Sequence, residues 1–521
     1  MEEMNSVMDW PLNFSHDTGL LQSGTGRSPV RPSDTITVDS GTKTVAGAIA
    51  TALANGGIRH VFGPAESDPH SFSQILECHA PHYNLNYYGI HHEGAAAFAC
   101  SAYGKLTKRP AACLSNTRQG ASSLKAGLCD AMIDHAPVLA LIETYHQYQI
   151  AEALDIGGSE KRGSENVSHW VGSLTYESDP AARVAMACRS TLINSGVSQL
   201  RFSRQMLQRQ CRQTAPCNKM EVQLPSFKIE PPQDALRAAA DLLRESARIV
   251  VVVGQGARNR MDDVMMLAEQ LRAAVVTTFK AKGLISERHP LAGGVLGKYG
   301  TPVAEKLLVS ADAVLVFGAN FSGQCDMVSD KPVIQIDHDL QALAQCEGVD
   351  VPIWGETGVT ARAFCIEFLG DVWTVDQTAD IARYWKAWNK NKLEDISQPS
   401  SKQSSARQFA ELNEWVDDDA IIVIDAGERM HGFGRYFECS EHTVIMPAQA
   451  DTIGFAVPAA MGAWVATQED DEQLQGRQVV AVCDTQGYVG YEAELEAAAR
   501  YGMRISLVIL DEGGWHLKRI G

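Results

Sequence analysis

Residues 84–115 read NLNYYGIHHEGAAAFACSAYGKLTKRPAACLS, and the order of elements in that stretch decides the fold. NLNYYGI is a short apolar run that predicts a strand, EGAAAFACSAYGKL predicts a helix, and AACLS predicts a second strand. A strand, a crossover helix and another strand make the unit from which parallel sheets are built. Working outward, helix VAGAIATALANGG and strand RHVFG precede this unit, and helix ASSLKAGLCDAMID and strand PVLALIE follow it. Repeated alternation of this kind means a parallel sheet covered by helices on both faces.

The same pattern recurs twice. Residues 234–370 alternate strands ARIVVVVG, AVVTTF, AVLVFG and PVIQID with amphipathic helices, and the last part of the chain carries strands AIIVIDAG, RQVVAVCD and RISLVIL around helices GFAVPAAMGAWVA and EAELEAAARYG. Between the first two units the polar, basic stretch Arg201–Lys219 and the proline-rich LPSFKIEPP read as a linker, and the weakly patterned QPSSKQSS closes a second connection. The expected fold is α/β, with three doubly wound parallel-sheet domains at 42–220, 228–372 and 404–521 and a flexible leader at 1–41. No fixed-period repeat marks a solenoid.

Composition narrows the class. The 521 residues carry 45 Lys+Arg against 63 Asp+Glu, a net charge of −18, so the basic footprint of a nucleic-acid binder is missing. No apolar run reaches the ~18 residues of a membrane span, and the N-terminus lacks the basic-then-apolar order of a signal peptide. The 12 scattered cysteines contain no CxxC pair and read as thiols of a reducing, cytoplasmic compartment.

Several motifs could carry chemistry. GQGARN, Gly254–Asn259, follows a strand and opens a helix, the order in which backbone N–H groups meet phosphate; with no third glycine it equally suits a tight turn without a ligand. Asp484 closes strand RQVVAVCD and is followed by Thr485, Gln486 and Gly487. Carboxyl ends of parallel strands are where such sheets bind ligands, and a carboxylate there can hold a divalent cation or cap the next helix. Strand RISLVIL ends in Asp511-Glu512-Gly513-Gly514, and one crossover brings Asp484 and Glu512 to the same sheet edge. With the carbonyl of Gly514 they would suit Mg2+ holding a diphosphate. Glu93 opens an Ala-rich helix, where it is either an acid favoured by the helix dipole or a carboxyl in a dry pocket able to share a proton with a ligand nitrogen. The pair His91-His92 is set aside as a metal site because adjacent strand residues face opposite ways.

Together these segments resemble the thiamine-diphosphate (ThDP) enzymes of the acetolactate synthase, pyruvate oxidase and benzoylformate decarboxylase group. The resemblance runs from about Thr42 to the last residue and rests on VFG, HHEGAAAFACSAYGKLTKRPAACLS, VVTTFKAKGLISERHPLAGGVLG, ADAVLVFGANF, TIGFAVPAAMGA and VVAVCD. It implies pyrimidine-binding, central and diphosphate-binding domains in that order, and cleavage or ligation of C–C bonds of a 2-oxo acid. It also implies that Glu93 protonates the aminopyrimidine, that Ile453 wedges the cofactor into its bent shape with the carbonyl of Asp451 facing its amino group, and that Asp484, Glu512 and Gly514 bind Mg2+. Thr485 and Gln486 fall beside the diphosphate, and Gln119 and Gly120 beside the pyrimidine. Sharing of the site between subunits implies a homodimer or homotetramer. FAD in the central domain, near Arg258, is compatible with some relatives.

The chain departs from that pattern around the cofactor. Gly-Asp-Gly is Cys483-Asp484-Thr485, Asn-Asn is Asp511-Glu512, Gly-Pro-Gly is Arg118-Gln119-Gly120, and PVLALI runs into Glu143-Thr144-Tyr145-His146. The diphosphate-binding domain also stops short of the family's further strand and helices. A second carboxylate beside a diphosphate costs about 4 kcal/mol at about 4 Å and an effective dielectric near 20. Two readings follow: a ThDP- and Mg2+-dependent enzyme, and a divergent homologue with a structural or regulatory role. His146, Gln147 and His516 are candidate polar contacts for a substrate.

Overall fold

Apolar runs of four to seven residues, too short for core helices and rich in Val, Ile and Leu, become strands buried on both faces. In a computed structural model they form three sheets. The structure describes residues 44–144, 167–211, 228–319, 330–345, 348–397, 404–449 and 452–521. The first sheet contains β1 (His60–Pro64), β2 (Asn86–Ile90), β3 (Ala111–Ser115), β4 (Val138–Thr144), β5 (Trp170–Ser173) and β6 (Val197–Ser203), in the order β2-β1-β3-β4-β6-β5. The central sheet contains β7 (Ile249–Val253), β8 (Ala274–Thr277), β9 (Ala292–Val295), β10 (Ala313–Phe317), β11 (Val333–Asp337) and β12 (Val351–Trp354), in the order β12-β11-β10-β7-β8-β9. The third contains β13 (Ile421–Ile424), β14 (Thr443–Ile445), β15 (Val479–Asp484), β16 (Ile505–Leu510) and β17 (Trp515–Ile520), in the order β14-β13-β15-β16-β17.

Two expectations need correction. The third sheet is not wholly parallel, because β17 folds back antiparallel on β16 through the Asp511–Gly514 turn, where Gly514 takes a φ of 147°. The stretch beginning at Arg201 is not all linker. Residues 197–203 form β6, inserted between β4 and β5 and buried along its length. No helix among the described residues is long and apolar enough to cross a membrane.

The Glu93–Thr107 helix, EGAAAFACSAYGKLT, is buried from Glu93 to Lys105, as a helix without a polar face must be. It lies on the first sheet and packs against the Ala456–Ala466 helix, which lies on the third, so one apolar core runs through both layers. Small residues allow the approach: a β-carbon at Gly462 would sit 1.9 Å from the carbonyl oxygen of Ala99. At the far end of the seam Lys105 is fully enclosed, with its Nζ 2.7 Å from Asp130, 2.8 Å from Asp134 and 2.9 Å from the Met446 carbonyl. Asp130 also accepts the Ala448 N–H at 2.5 Å, and Lys280 of the central layer pairs with Asp134. One buried ionic cluster thus ties all three layers. Replacing Lys105 by Met leaves two enclosed carboxylates short of their shared cation, and should cost on the order of 3–5 kcal/mol, read as a lowered urea or thermal midpoint.

Candidate active site

Glu93 is placed by its neighbours on both sides. The ring of His92 caps the helix by accepting the Gly94 N–H at 3.1 Å. The Glu93 carboxylate turns back over the end of β3, where Oε1 accepts the Asn116 N–H at 3.0 Å and Oε2 the Thr117 hydroxyl at 3.3 Å. Beneath it lies Gly120, where a β-carbon would fall 0.8 Å from Oε2, so any larger residue would displace the carboxylate. Burial pushes the carboxyl above its ordinary range against these hydrogen bonds, so it holds a proton more readily than a surface glutamate. The approach to the helix is fixed from the third layer: fully buried Glu494 accepts the N–H groups of His91 at 3.2 Å and His92 at 2.6 Å.

The carboxyl ends of β13 and β15 hold the second group of candidate residues. Asp425, just beyond β13, accepts the N–H groups of Ala426 at 2.8 Å, Gly454 at 2.9 Å and Phe455 at 3.1 Å, and so pins the loop that carries Ile453. Its carboxyl is pushed up to about 7, chiefly by burial and further by the nearby charge of Asp484. Gly487 is required under it, because a β-carbon would meet Asp425 at 2.1 Å. Ile453 remains 44% exposed although it adjoins a buried helix, an apolar side chain held out of the core. Tyr491 connects the two parts: its ring meets the His92 ring edge-on at 5.4 Å and covers the α-carbon face of Gly454.

The other expected residues are distributed unevenly. Gly120 is buried and Gln119 exposed at the Glu93 end; Thr485 and Gln486 are exposed at the start of the short helix after β15; Asp451 lies outside the described residues, as do His146 and Gln147. Asp484 does cap that helix, its Oδ1 accepting the Gly487 N–H at 2.9 Å, while Gly427 faces its second oxygen. The proposed metal donors do not assemble. The Gly514 carbonyl accepts Gln408 Nε2 at 2.7 Å and the Asp511 N–H at 3.0 Å, which occupies both its lone pairs. Glu512 projects into solvent and lies 3.9 Å from the Arg429 guanidinium. Asp511 is engaged by the Gly513 N–H and by His516, each at 2.7 Å. Among the described residues no three His, Cys, Asp or Glu side chains converge as a metal site. As they stand these donors do not fit a divalent cation.

The GQGARN turn is likewise committed elsewhere. Gly254 and Gly256 donate their N–H groups to the carbonyls of Phe317 and Gly318, each at 2.9 Å, and a β-carbon at Gly254 would meet the Gly318 oxygen at 2.2 Å. The glycines let the turns after the parallel neighbours β7 and β10 approach closely. Arg258, pushed down to about 10 by burial, donates to the Val444 carbonyl at 2.6 Å and joins the central layer to the third. Sequence reading missed Asp425 and Glu494. Asp425 ends an apolar strand just as Asp484 does, so the same signal could have found it, whereas Glu494 is indistinguishable in sequence from the neighbouring Glu492 and Glu496.

Comparison with known proteins finds likeness over three segments of the chain. Residues 43–159 match the family described as the N-terminal TPP binding domain of thiamine pyrophosphate enzymes, 236–364 its central domain and 425–520 its C-terminal TPP binding domain. A Bacillus subtilis protein, YdaP, whose name gives it as thiamine pyrophosphate-containing, is 25% identical over 472 residues, covering 90% of this chain and 80% of that protein. The acetolactate synthase large subunit of Parasynechococcus marenigrum is 26% identical over 440 residues, 81% of this chain and 68% of its own. Pyruvate oxidase of Lactiplantibacillus plantarum is 23% identical over 430 residues, 80% and 69% respectively.

The raised carboxyl of Asp425 gives a pH test. Its folded value of about 7 lies above the ordinary 3.8, so its contribution to stability is complete below about pH 4 and is lost as pH rises through 7. Urea unfolding of the full chain at pH 4, 5.5 and 7.5 should show the native protein losing on the order of 3–4 kcal/mol relative to Asp425→Asn across that window. Equal slopes for the two proteins would show that Asp425 titrates normally.

Proposed function

The chain belongs to the thiamine pyrophosphate enzyme family, and on that premise we propose that it cleaves or ligates C–C bonds of a 2-oxo acid with ThDP, as a decarboxylase or an acetolactate synthase-like carboligase. The observation that carries this reading is the Glu93 carboxylate, enclosed, raised by burial and held over Gly120 by Asn116 and Thr117. ThDP, when bound, supplies the carbon nucleophile and the electron sink. Glu93 holds the proton that a ring nitrogen can share, and Asn116 and Thr117 fix the carboxylate's direction. Asp425 orients the loop from which Ile453 projects, and Phe455, Tyr491 and Phe98 keep the surroundings apolar and exclude water. No step is assigned to Mg2+, because the Gly514 carbonyl is taken by Gln408 and Asp511 and Glu512 lies exposed beside Arg429, and FAD forms no part of the reading, because the Gly254 and Gly256 N–H groups are taken.

The setting we propose is a cytoplasmic homodimer or homotetramer; the nine described cysteines are all free thiols, which supports a reducing compartment. A second reading, a non-catalytic homologue with weakened cofactor binding, is favoured by the closed Asp511–Gly514 turn. Calorimetric titration of the full chain with ThDP, in Mg2+ and in EDTA, separates the two. The enzyme reading expects saturable binding and pyruvate consumption that Glu93→Gln lowers at least about 100-fold. No binding at millimolar ThDP in either buffer would overturn it in favour of the second.

A further inference from the structure

The residues at the ends of four neighbouring strands of the first sheet form one chain of polar contacts that finishes on Glu93. β1, β3, β4 and β6 lie side by side and parallel, so their carboxyl ends share one edge. Asn116, just beyond β3, serves two carboxylates. Its backbone N–H reaches Glu93 Oε1 at 3.0 Å, and its side-chain amide donates to Glu66 Oε2 at 2.5 Å. Glu66 stands two residues beyond β1, partly exposed, and Arg204, the first residue after β6, brings Nη2 to 3.4 Å from each of its oxygens. Arg204 is fixed in turn by Asp68 and by fully buried Glu143 of β4, each at 2.5 Å, and Glu143 accepts the Phe72 N–H at 2.8 Å. Glu143 begins one of the segments in which the chain departs from its family, and the reading of the site given above uses none of Glu66, Glu143 and Arg204.

An N–H in a strand-to-helix turn is aimed by the backbone torsions on either side of it. Tethering the Asn116 side chain from the β1 side restricts those torsions, as hydrogen bonds behind a functional group do when they fix its direction. A carboxylate is a strong acceptor for such a tether. Left alone it would also oppose ionisation of Glu93, and the Arg204 guanidinium offsets its charge. Burial raises the Glu93 carboxyl, while the Asn116 N–H, the hydroxyls of Thr117 and Ser115 and the charge of His92 act against burial.

We propose that Glu66 and Arg204 are positioning residues for Glu93, acting through Asn116. Arg204 holds Glu66, Glu66 holds the Asn116 side chain, and the Asn116 N–H thereby stays on the Glu93 carboxylate. Their part in a reaction rests on reading Glu93 as the group that shares a proton with ThDP; the coupling itself lies within the protein and needs no cofactor. Ion pairs that merely closed the edge of the sheet would stabilise the fold and leave the titration of Glu93 where it is.

The test follows the Glu93 carboxyl by infrared pH titration of the full chain, in EDTA without ThDP. Its band is the component missing from Glu93→Gln, whereas that of Glu143 persists in that variant. Asn116→Ala keeps the backbone N–H and every charge but removes the tether, so the Glu93 midpoint should rise by about half a pH unit or more. Glu66→Ala and Glu66→Gln remove the same charge, and only Gln keeps an acceptor. The Ala midpoint should therefore lie above the Gln midpoint, and that difference should vanish when Asn116→Ala is also present. Arg204→Lys keeps the charge, loses the fork, and should raise the midpoint in the native background only. With ThDP and pyruvate, the acid limb of kcat/KM against pH should move with the infrared midpoint. An unmoved midpoint in Asn116→Ala beside a lowered urea midpoint would overturn the proposal, as would equal midpoints for Glu66→Ala and Glu66→Gln. Should Asn116→Ala fail to fold, the two Glu66 variants decide alone. Absence of pyruvate turnover by the native protein would sink the catalytic reading of Glu93 and leave the infrared comparison to decide the positioning.

Discussion

The seam between the Glu93–Thr107 and Ala456–Ala466 helices is the contact on which the other arrangements depend. It is so close that Gly462 presses its α-carbon against the Ala99 backbone, and no larger residue leaves the geometry intact. The cost of running two helices without polar faces through the middle of the protein is met by burial of almost every side chain on both. Because the first sheet rides on one helix and the third on the other, this single contact sets where the ends of β3 and β13 stand. The Glu93 carboxylate at one end of the seam and the Lys105 ammonium at the other are thereby fixed by the same packing. Edge-on contact of Phe98 with Phe455, at 5.7 Å, fills the turn between them.

Much of this was legible in sequence, for reasons that also explain what was not. Strands such as Ile249–Val253 and Ala313–Phe317 are buried on both faces and read as unbroken apolar runs. The Ala-rich helices read equally well because nothing in them suits a surface. β6 did not read, since Ser198, Gln199, Arg201 and Ser203 give it the composition of a connection although all are buried. The short β9, with two glycines, and β14, with three residues, carry too little pattern to register. Glu93 was visible because an acid opening an apolar helix is conspicuous. The donor set of Asp484, Glu512 and Gly514 was placed correctly at one sheet edge, but spacing cannot report that a turn points its carbonyl inward at Gln408.

The buried ionisable groups divide by how their charge is treated. Asp130 and Asp134 stay paired with Lys105 and Lys280, and Glu143 is gripped by Arg204 even as burial pushes it up to about 7. Asp425 and Glu93 form no ion pair among the described residues and are supplied instead with N–H and hydroxyl donors. Burial raises both carboxyls, so each holds a proton more readily than a surface acid. Arg201 belongs to neither group: it is a permanent cation with one amide oxygen for company.

The contacts that maintain the fold and the exposed side chains at the rim of the third sheet are distinct. The seam, the Lys105 cluster and the Arg258 bridge use none of Thr485, Asp511 or Glu512, positions at which the chain departs from its family, whereas buried Cys483 belongs to the same apolar core as the seam. Side chains at the rim of a parallel sheet can therefore change without disturbing the core, because the strands end there and only turns and short helices follow. The converse does not hold. Glu93, Gly120, Asp425 and Gly487 fit one another within contact distances that a single added carbon would break.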